Sequence, residues 1–317
     1  MSFVLPDVAR FLEMLNASGE PPPETITPDE ARQQFLKLEA EVDAPPPPVG
    51  AITDLTIDAP GRQIPARLYD PVPRDQDVRP VILYFHGGGW MLGDLQTHHS
   101  LCAEIAVQTG VSVLAIDYRR SPEHRFPAAH DDCLAAVQWL FDKPDRLGHP
   151  LSGIALAGDS AGGTMAAFIT QHLRGKEVIP LIAQFLIYPG TDLARCDAYP
   201  SSQENGKGFF LENSLIDYFL TNYVPEGVAS AGIHMSPLQG DLHDLPPAVV
   251  FGCERDPIRD QARAYAAKLA QSGVRVCYHE QRGQIHACFN FRGALPSAQS
   301  QLKACLSDFR KLIESAG

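Results

Sequence analysis

Six short apolar runs punctuate the chain: "VILYF" (81–85), "VSVLAI" (111–116), "IALA" (154–157), "LIAQFLIY" (181–188), "AVVFG" (248–252) and "VRVCYH" (274–279). Between most of them the spacing predicts helices, over 97–109, 127–141, 161–174 and 259–272. Short apolar runs suit strands buried on both faces, and intervening helices carry the chain back across a parallel sheet. Two earlier stretches, "AITDLTI" and "QIPARLYD", alternate instead and predict half-exposed antiparallel strands. The expected fold class is α/β: a mainly parallel eight-stranded sheet with helices on both faces. Ligands of such sheets bind beyond the carboxyl ends of the strands, so chemistry is sought in the residues that follow each run.

The start of the chain and one internal segment have a different texture. Two proline runs, Pro21 to Pro23 and Pro45 to Pro48, cannot be helical, because proline lacks the amide donor and clashes in a helix interior. They bracket a helical pattern over Thr27 to Ala40, and Val4 to Leu15 reads as an amphipathic helix. The segment 191–235, with one predicted helix at 211–221, interrupts the strand–helix rhythm and reads as an insertion. The division expected is 1–50, 51–190, 191–235 and 236–317, with the second and fourth pieces forming the core.

The net charge of −12 and the lack of a Lys/Arg cluster argue against nucleic acid as a partner. No apolar stretch approaches a membrane span, and the N-terminus carries neither a signal-peptide pattern nor an anchor. Seven widely spaced cysteines without a C-x-x-C pair fit reduced thiols, and so a cytoplasmic chain. His98 and His99 are adjacent and do not face one point on a helix, and no H-E-x-x-H occurs; no metal is expected.

One serine stands out. Gly158-Asp159-Ser160-Ala161-Gly162 is a G-x-S-x-G pattern between a predicted strand and a predicted helix. A tight turn there lifts the hydroxyl above the sheet edge, and the helix N-terminus favours negative charge developing beside it. A second pattern, His86-Gly87-Gly88-Gly89-Trp90, follows "VILYF". Consecutive glycines at a strand end allow backbone amides to converge on one point, as an oxyanion requires. The donors are assigned to Gly88, Gly89 and Ala161, with Gly87 as a further member; His86 is expected to hold the loop by hydrogen bonds.

A serine needs a base and a group that orients it. After "AVVFGC" come Glu254, Asp256 and Asp260, of which Asp256 lies in the loop before a helix. After "VRVCYHE" comes His286, with His279 as a rival on or near the strand. Ser160, Asp256 and His286 follow the chain order Ser, acid, His.

Together "HGGGW", "GDSAGG", "DYRRSPEHRFPAA", "DPIRD" and the late His286 resemble the bacterial hormone-sensitive-lipase-like carboxylesterases of the α/β-hydrolase fold. The resemblance implies a helical cap made from 1–50 and 191–235, short acyl chains, no cofactor, and often a dimer. The chain departs from the family pattern at Ala287, after the base, and in Arg120-Ser121 of the "YRRSPEH" stretch. Asp117, Arg119 and Glu123 are read as a structural charge network. The expected reaction is hydrolysis of a small ester by water through an acyl-enzyme. Trp90, Phe35, Phe209, Phe210 and Leu211 are the expected substrate contacts. Amide, thioester or natural-product acetyl cleavage uses the same site, and a non-catalytic ligand-binding scaffold is the remaining alternative. A strand edge at 274–279 is the expected surface for a homodimer.

Overall fold

The structure, a computed structural model, describes residues 3–72, 78–176, 178–228 and 232–316. The remaining residues, which fall within each of the four expected pieces, lie outside that description. In chain order the elements are α1 (Pro6–Ala17), α2 (Pro28–Val42), β1 (Ala51–Ala59), β2 (Arg62–Asp70), β3 (Arg79–Phe85), α3 (His99–Thr109), β4 (Ser112–Ile116), α4 (Ala128–Asp142), β5 (Leu151–Asp159), α5 (Ala161–Leu173), β6 (Leu181–Ile187), α6 (Pro200–Asn205), α7 (Asn213–Tyr223), β7 (Ala248–Arg255), α8 (Arg259–Gln271), β8 (Val276–Ile285) and α9 (Pro296–Glu314).

The eight strands form one sheet in the order β1-β2-β4-β3-β5-β6-β7-β8. The β1–β2 and β2–β4 pairs are antiparallel and the rest are parallel. Alternation within the apolar strands divides their side chains between two cores. Val81, Leu83 and Phe85 of β3 join the cluster that holds α4, α5 and α8. Ile82 and Tyr84 join the cluster on the other face, with α3 and α9. Each fully buried side chain of this size contributes about 1.5–3 kcal/mol, and Leu83→Ala would cost about 2–5 kcal/mol.

The N-terminal segment is locally encoded. Thr27 and Glu30 form a reciprocal capping box at the start of α2, with Pro28 in the first turn. Ala31 of α2 then packs with Met91, Leu92, Leu211, Leu215, Phe219 and Ile258 in a third cluster above the strand ends. Within 191–235 the structure has α6 as well as α7, where the sequence predicted one helix. Proline opens α6 at Pro200, and so short a helix offers little periodicity to read. The last strand also runs further than its apolar part: β8 continues through polar Glu280 to Gln284 because it pairs with β7 up to Arg255 and Ile285.

That register positions the chemistry. Arg255 and Ile285 are Cα partners, so Asp256 and His286 leave neighbouring strands side by side. Phe85 and Gly158 are partners on β3 and β5, so the glycine loop and Ser160 also leave together.

Candidate active site

Ser160 is the hinge between β5 and α5, with φ 52° and ψ −119°. L-residues avoid this region, and it persists only where the surroundings fix it. The fixing contacts are close. A Cβ at Gly158 would strike the backbone of Gly162 and Phe85, and one at Gly162 would strike the Phe85 carbonyl. The two glycines therefore let α5 start against β3, which leaves Ser160 partly exposed at the sheet edge.

His286 Nε2 lies 2.8 Å from Ser160 Oγ, and Nδ1 lies 2.6 Å from Asp256 Oδ2. A carboxylate only accepts, so Nδ1–H donates to Asp256 and Nε2 offers its lone pair to the serine hydroxyl. Asp256 is buried, and its other oxygen accepts from the Ile258 amide at 2.9 Å. The Tyr188 ring, 4.6 Å from the imidazole between centroids, packs against His286. The three residues can pass the serine proton to the imidazole and stabilise the resulting positive ring.

The glycine loop faces the same hydroxyl. Among the described residues the amides of Gly88 and Gly89 have no hydrogen-bond acceptor. Ala161 is the first residue of α5, where an amide has no partner within the helix. Gly87 differs from the expectation: its amide donates to Asp159 Oδ1 at 2.8 Å and is turned away from the others. His86 does hold the loop. Its Nδ1 bonds the Gly87 carbonyl at 2.8 Å, and its ring stacks on Tyr118 at 4.0 Å. Burial, with the nearby His98, pulls the His86 pKa down to about 3, so it is neutral at pH 7.

Asp159 and His98, to which the sequence assigned no role at the site, hold this loop together with His86. Asp159 is fully buried and accepts from the Tyr84 hydroxyl at 2.7 Å, with His98 Nε2 3.2 Å from Oδ1. Burial alone would raise its pKa, but the His98 ring and the Tyr84 hydroxyl hold it below the ordinary carboxylate value. His98 also meets Asn290, four residues after His286, at 2.8 Å. The available signal was Asp159 itself: a carboxylate between a buried strand and a buried helix needs donors.

Other candidates are occupied elsewhere. His279 Nε2 lies 3.1 Å from Asp308. Glu254 accepts from the Gly283 amide, and Asp260 pairs with Arg259 and Arg263. Asp117, Arg119 and Glu123 do not form one network. Arg119 pairs with Asp132, Glu123 with Arg32 of α2, and Asp117 lies 4.0 Å from His86.

A cavity of about 430 Å³ reaches from Ser160 and His286 to α1, α2 and the loop between them, and Phe35, Phe210 and Leu211 line it. A second space of about 40 Å³ also borders Ser160, lined by Trp90 and again Leu211. Phe209 is corrected: it lines neither space, and the Arg255 guanidinium lies over its ring at 5.9 Å.

A family model described as the alpha/beta hydrolase fold matches residues 82–290. The chain is 39% identical to the esterase LipI of Mycobacterium tuberculosis over 250 residues, covering 78% of each. It is 36% identical to an ethyl acetate hydrolase of Pseudomonas putida over 280 residues, covering 86% of this chain and 87% of that one. Among solved structures, the ester-hydrolase EH1AB1 from the metagenome of Lake Arreo superposes with a TM-score of 0.93 at 32% identity, covering 98% of this chain and 99% of that one. Sequence, sheet order and relatives agree: the chain belongs to the α/β-hydrolase fold family, among its esterases, and is a carboxylic ester hydrolase.

Proposed function

We propose that this enzyme is a serine carboxylesterase of the hormone-sensitive-lipase-like branch, acting on short-chain acyl esters. The observation that carries the reading is the line Ser160–His286–Asp256, with contacts of 2.8 and 2.6 Å, at a strained strand-to-helix corner. His286 takes the Ser160 proton as the hydroxyl attacks the ester carbonyl. Asp256 keeps the ring in the correct tautomer and stabilises its charged form. The amides of Gly88, Gly89 and Ala161 receive the oxyanion. The imidazolium then protonates the leaving alcohol, and a water repeats the sequence on the acyl-enzyme to release the acid.

The helices of 1–50 and the insertion 191–235 serve as the cap in this reading, and 51–190 with 236–317 as the core. The third apolar cluster, where Ala31 meets Leu215 and Phe219, supports it. Trp90, Phe35, Phe210 and Leu211 are the substrate contacts we retain. Among the described residues no helix is long and apolar enough to cross a membrane; the cytoplasm is our assignment on the reduced cysteines. A homodimer would form at β8, the last strand of the sheet.

The test is hydrolysis of p-nitrophenyl esters from acetate to palmitate by the native enzyme and by Ser160→Ala. Turnover of the short esters that is lost in the variant is the expected result. Turnover that survives in Ser160→Ala would overturn the assignment of the nucleophile, and none with any ester would overturn the esterase reading.

A further inference from the structure

The two spaces that meet at Ser160 differ about tenfold in size, at about 430 and about 40 Å³. They also differ in where they stand relative to the proton donor. His286, Ala287 and Asn290 line the large cavity and not the small one. In ester cleavage the proton carried by the imidazole goes to the leaving oxygen. The alcohol half of the ester therefore has to lie on the His286 side, and the acyl half on the other side of the serine. Taking the serine-esterase reading as its basis, we propose that the small space holds the acyl group and the large cavity the alcohol. The substrate class is then esters of small acids with bulky, largely apolar alcohols.

The walls support the division. Among the described residues the small space has no charged lining residue; Trp90, Leu193, Ile216 and Ile258 close it. A water-sized group takes about 10–15 Å³, so the space of about 40 Å³ admits an acyl tail of about three or four carbons. Trp90 is held rigidly, stacked on Tyr223 at 4.8 Å, so that wall does not yield easily. Leu211 and Phe219 line both spaces and form the partition between them. Leu12, Phe35, Leu38 and Phe210 give the large cavity apolar walls. Charged Glu20, Lys37 and Glu41 also line it, and all three are exposed. An alcohol with an apolar body and a polar outer end matches that gradient.

Two ester series separate the halves. One varies the acid on a fixed alcohol: hexyl acetate, butyrate, hexanoate and decanoate. The other varies the alcohol on acetate: ethyl, hexyl and 2-cyclohexylethyl, whose leaving groups have similar basicity. The expected result is a fall in kcat/KM of at least tenfold from butyrate to hexanoate, and a constant or rising kcat/KM from ethyl to 2-cyclohexylethyl acetate. Long acids accepted with bulky alcohols rejected would reverse the assignment. Equal tolerance on both axes would also overturn it. Absence of turnover with every ester would instead overturn the underlying esterase reading, and the proposal with it. Ile216→Ala and Leu193→Ala enlarge only the small space. In variants whose melting temperature shows them folded, the hexanoate-to-butyrate ratio of kcat/KM is expected to rise at least tenfold, with the order of the alcohol series kept. An unchanged ratio in both folded variants would count against the small space as the acyl site.

Discussion

The backbone amide of Gly87 donates to the side chain of Asp159 across 2.8 Å. The residue before Ser160 thus ties down the loop whose next two amides we assign to the oxyanion. Asp159→Ala would leave the buried Tyr84 hydroxyl without its partner and the Gly87 amide with only His98 Nε2 at 3.3 Å, and it would remove the carboxylate beside the His98 ring. Each unsatisfied buried group costs about 1–3 kcal/mol, so a large loss of stability in urea unfolding is expected. In Asp159→Asn the amide oxygen can still accept from Gly87, while the charge beside His98 is gone. That variant is expected to stay folded, with a lower kcat on p-nitrophenyl acetate and a KM close to native. A change confined to KM would separate Asp159 from the geometry of the glycine loop.

Two variants of the proposed nucleophile, Ser160→Ala and Ser160→Gly, are expected to differ in stability. Ser160 has a positive φ of 52°. Alanine in its place keeps a Cβ in that region, and glycine removes it. Ser160→Gly is expected to be more stable than Ser160→Ala by about 1 kcal/mol, the strain relief exceeding the added chain entropy. Thermal unfolding of the two purified variants measures the difference. Ser160→Ala as the more stable of the pair would show that the corner is unstrained.

Asp256 lies 2.6 Å from His286, the residue through which we propose it acts. Asp256→Asn keeps an oxygen for the Ile258 amide, so the loop is expected to hold its shape. The tautomer is what changes: an amide can donate to Nδ1 and leave the proton on Nε2, facing the serine. A loss in kcat of about 10⁴ is expected by analogy with the same change in other triads, with KM within about threefold of native. A loss below tenfold would point to another acid as the partner of the imidazole.

The parts of this molecule that could be read from sequence are those fixed by local patterns. Buried runs such as Val81 to Phe85 mark strands because they lack polar alternation. Thr27, Pro28 and Glu30 mark a helix start through their own hydrogen bonds. Gly158 and Gly162 mark a corner where a Cβ has no room. The chain order Ser160, Asp256, His286 suggested the three residues that the sheet register then brings side by side. What escaped depends on contacts distant in sequence. His98 meets Asn290 and Asp159 only because α3 and the loop after β8 pack at one end of the sheet. Phe209 and Phe210 look alike as letters, yet one meets Arg255 and the other the cavity. The polar end of β8 is a strand because β7 offers it partners, and no propensity encodes that.

Glu39 supplies an expectation about pH. It lies on α2, is buried, and has one oxygen 3.4 Å from the Asn290 amide nitrogen and the other without a partner. Burial first, and then nearby Asp43, push its carboxyl well above the ordinary value of 4.5, against the opposing hydrogen bond from Asn290 and the charge of Arg292. The folded protein therefore keeps a proton on Glu39 that the unfolded chain loses above pH 4.5. Folding takes up that proton, so this group costs more stability as pH rises from 4.5 toward its folded pKa. Asp43, raised to about 6 mainly by burial, titrates in native and variant alike and largely cancels between them. Glu39→Gln resembles the protonated carboxyl and has no proton to lose. Its stability relative to the native enzyme is expected to rise with pH, by up to about 1.4 kcal/mol per unit. Urea unfolding of both proteins at pH 5, 6, 7 and 8 measures that slope. A constant difference across the range would mean that Glu39 is ionised in the folded state, and that α2 holds a buried charge against the loop after His286.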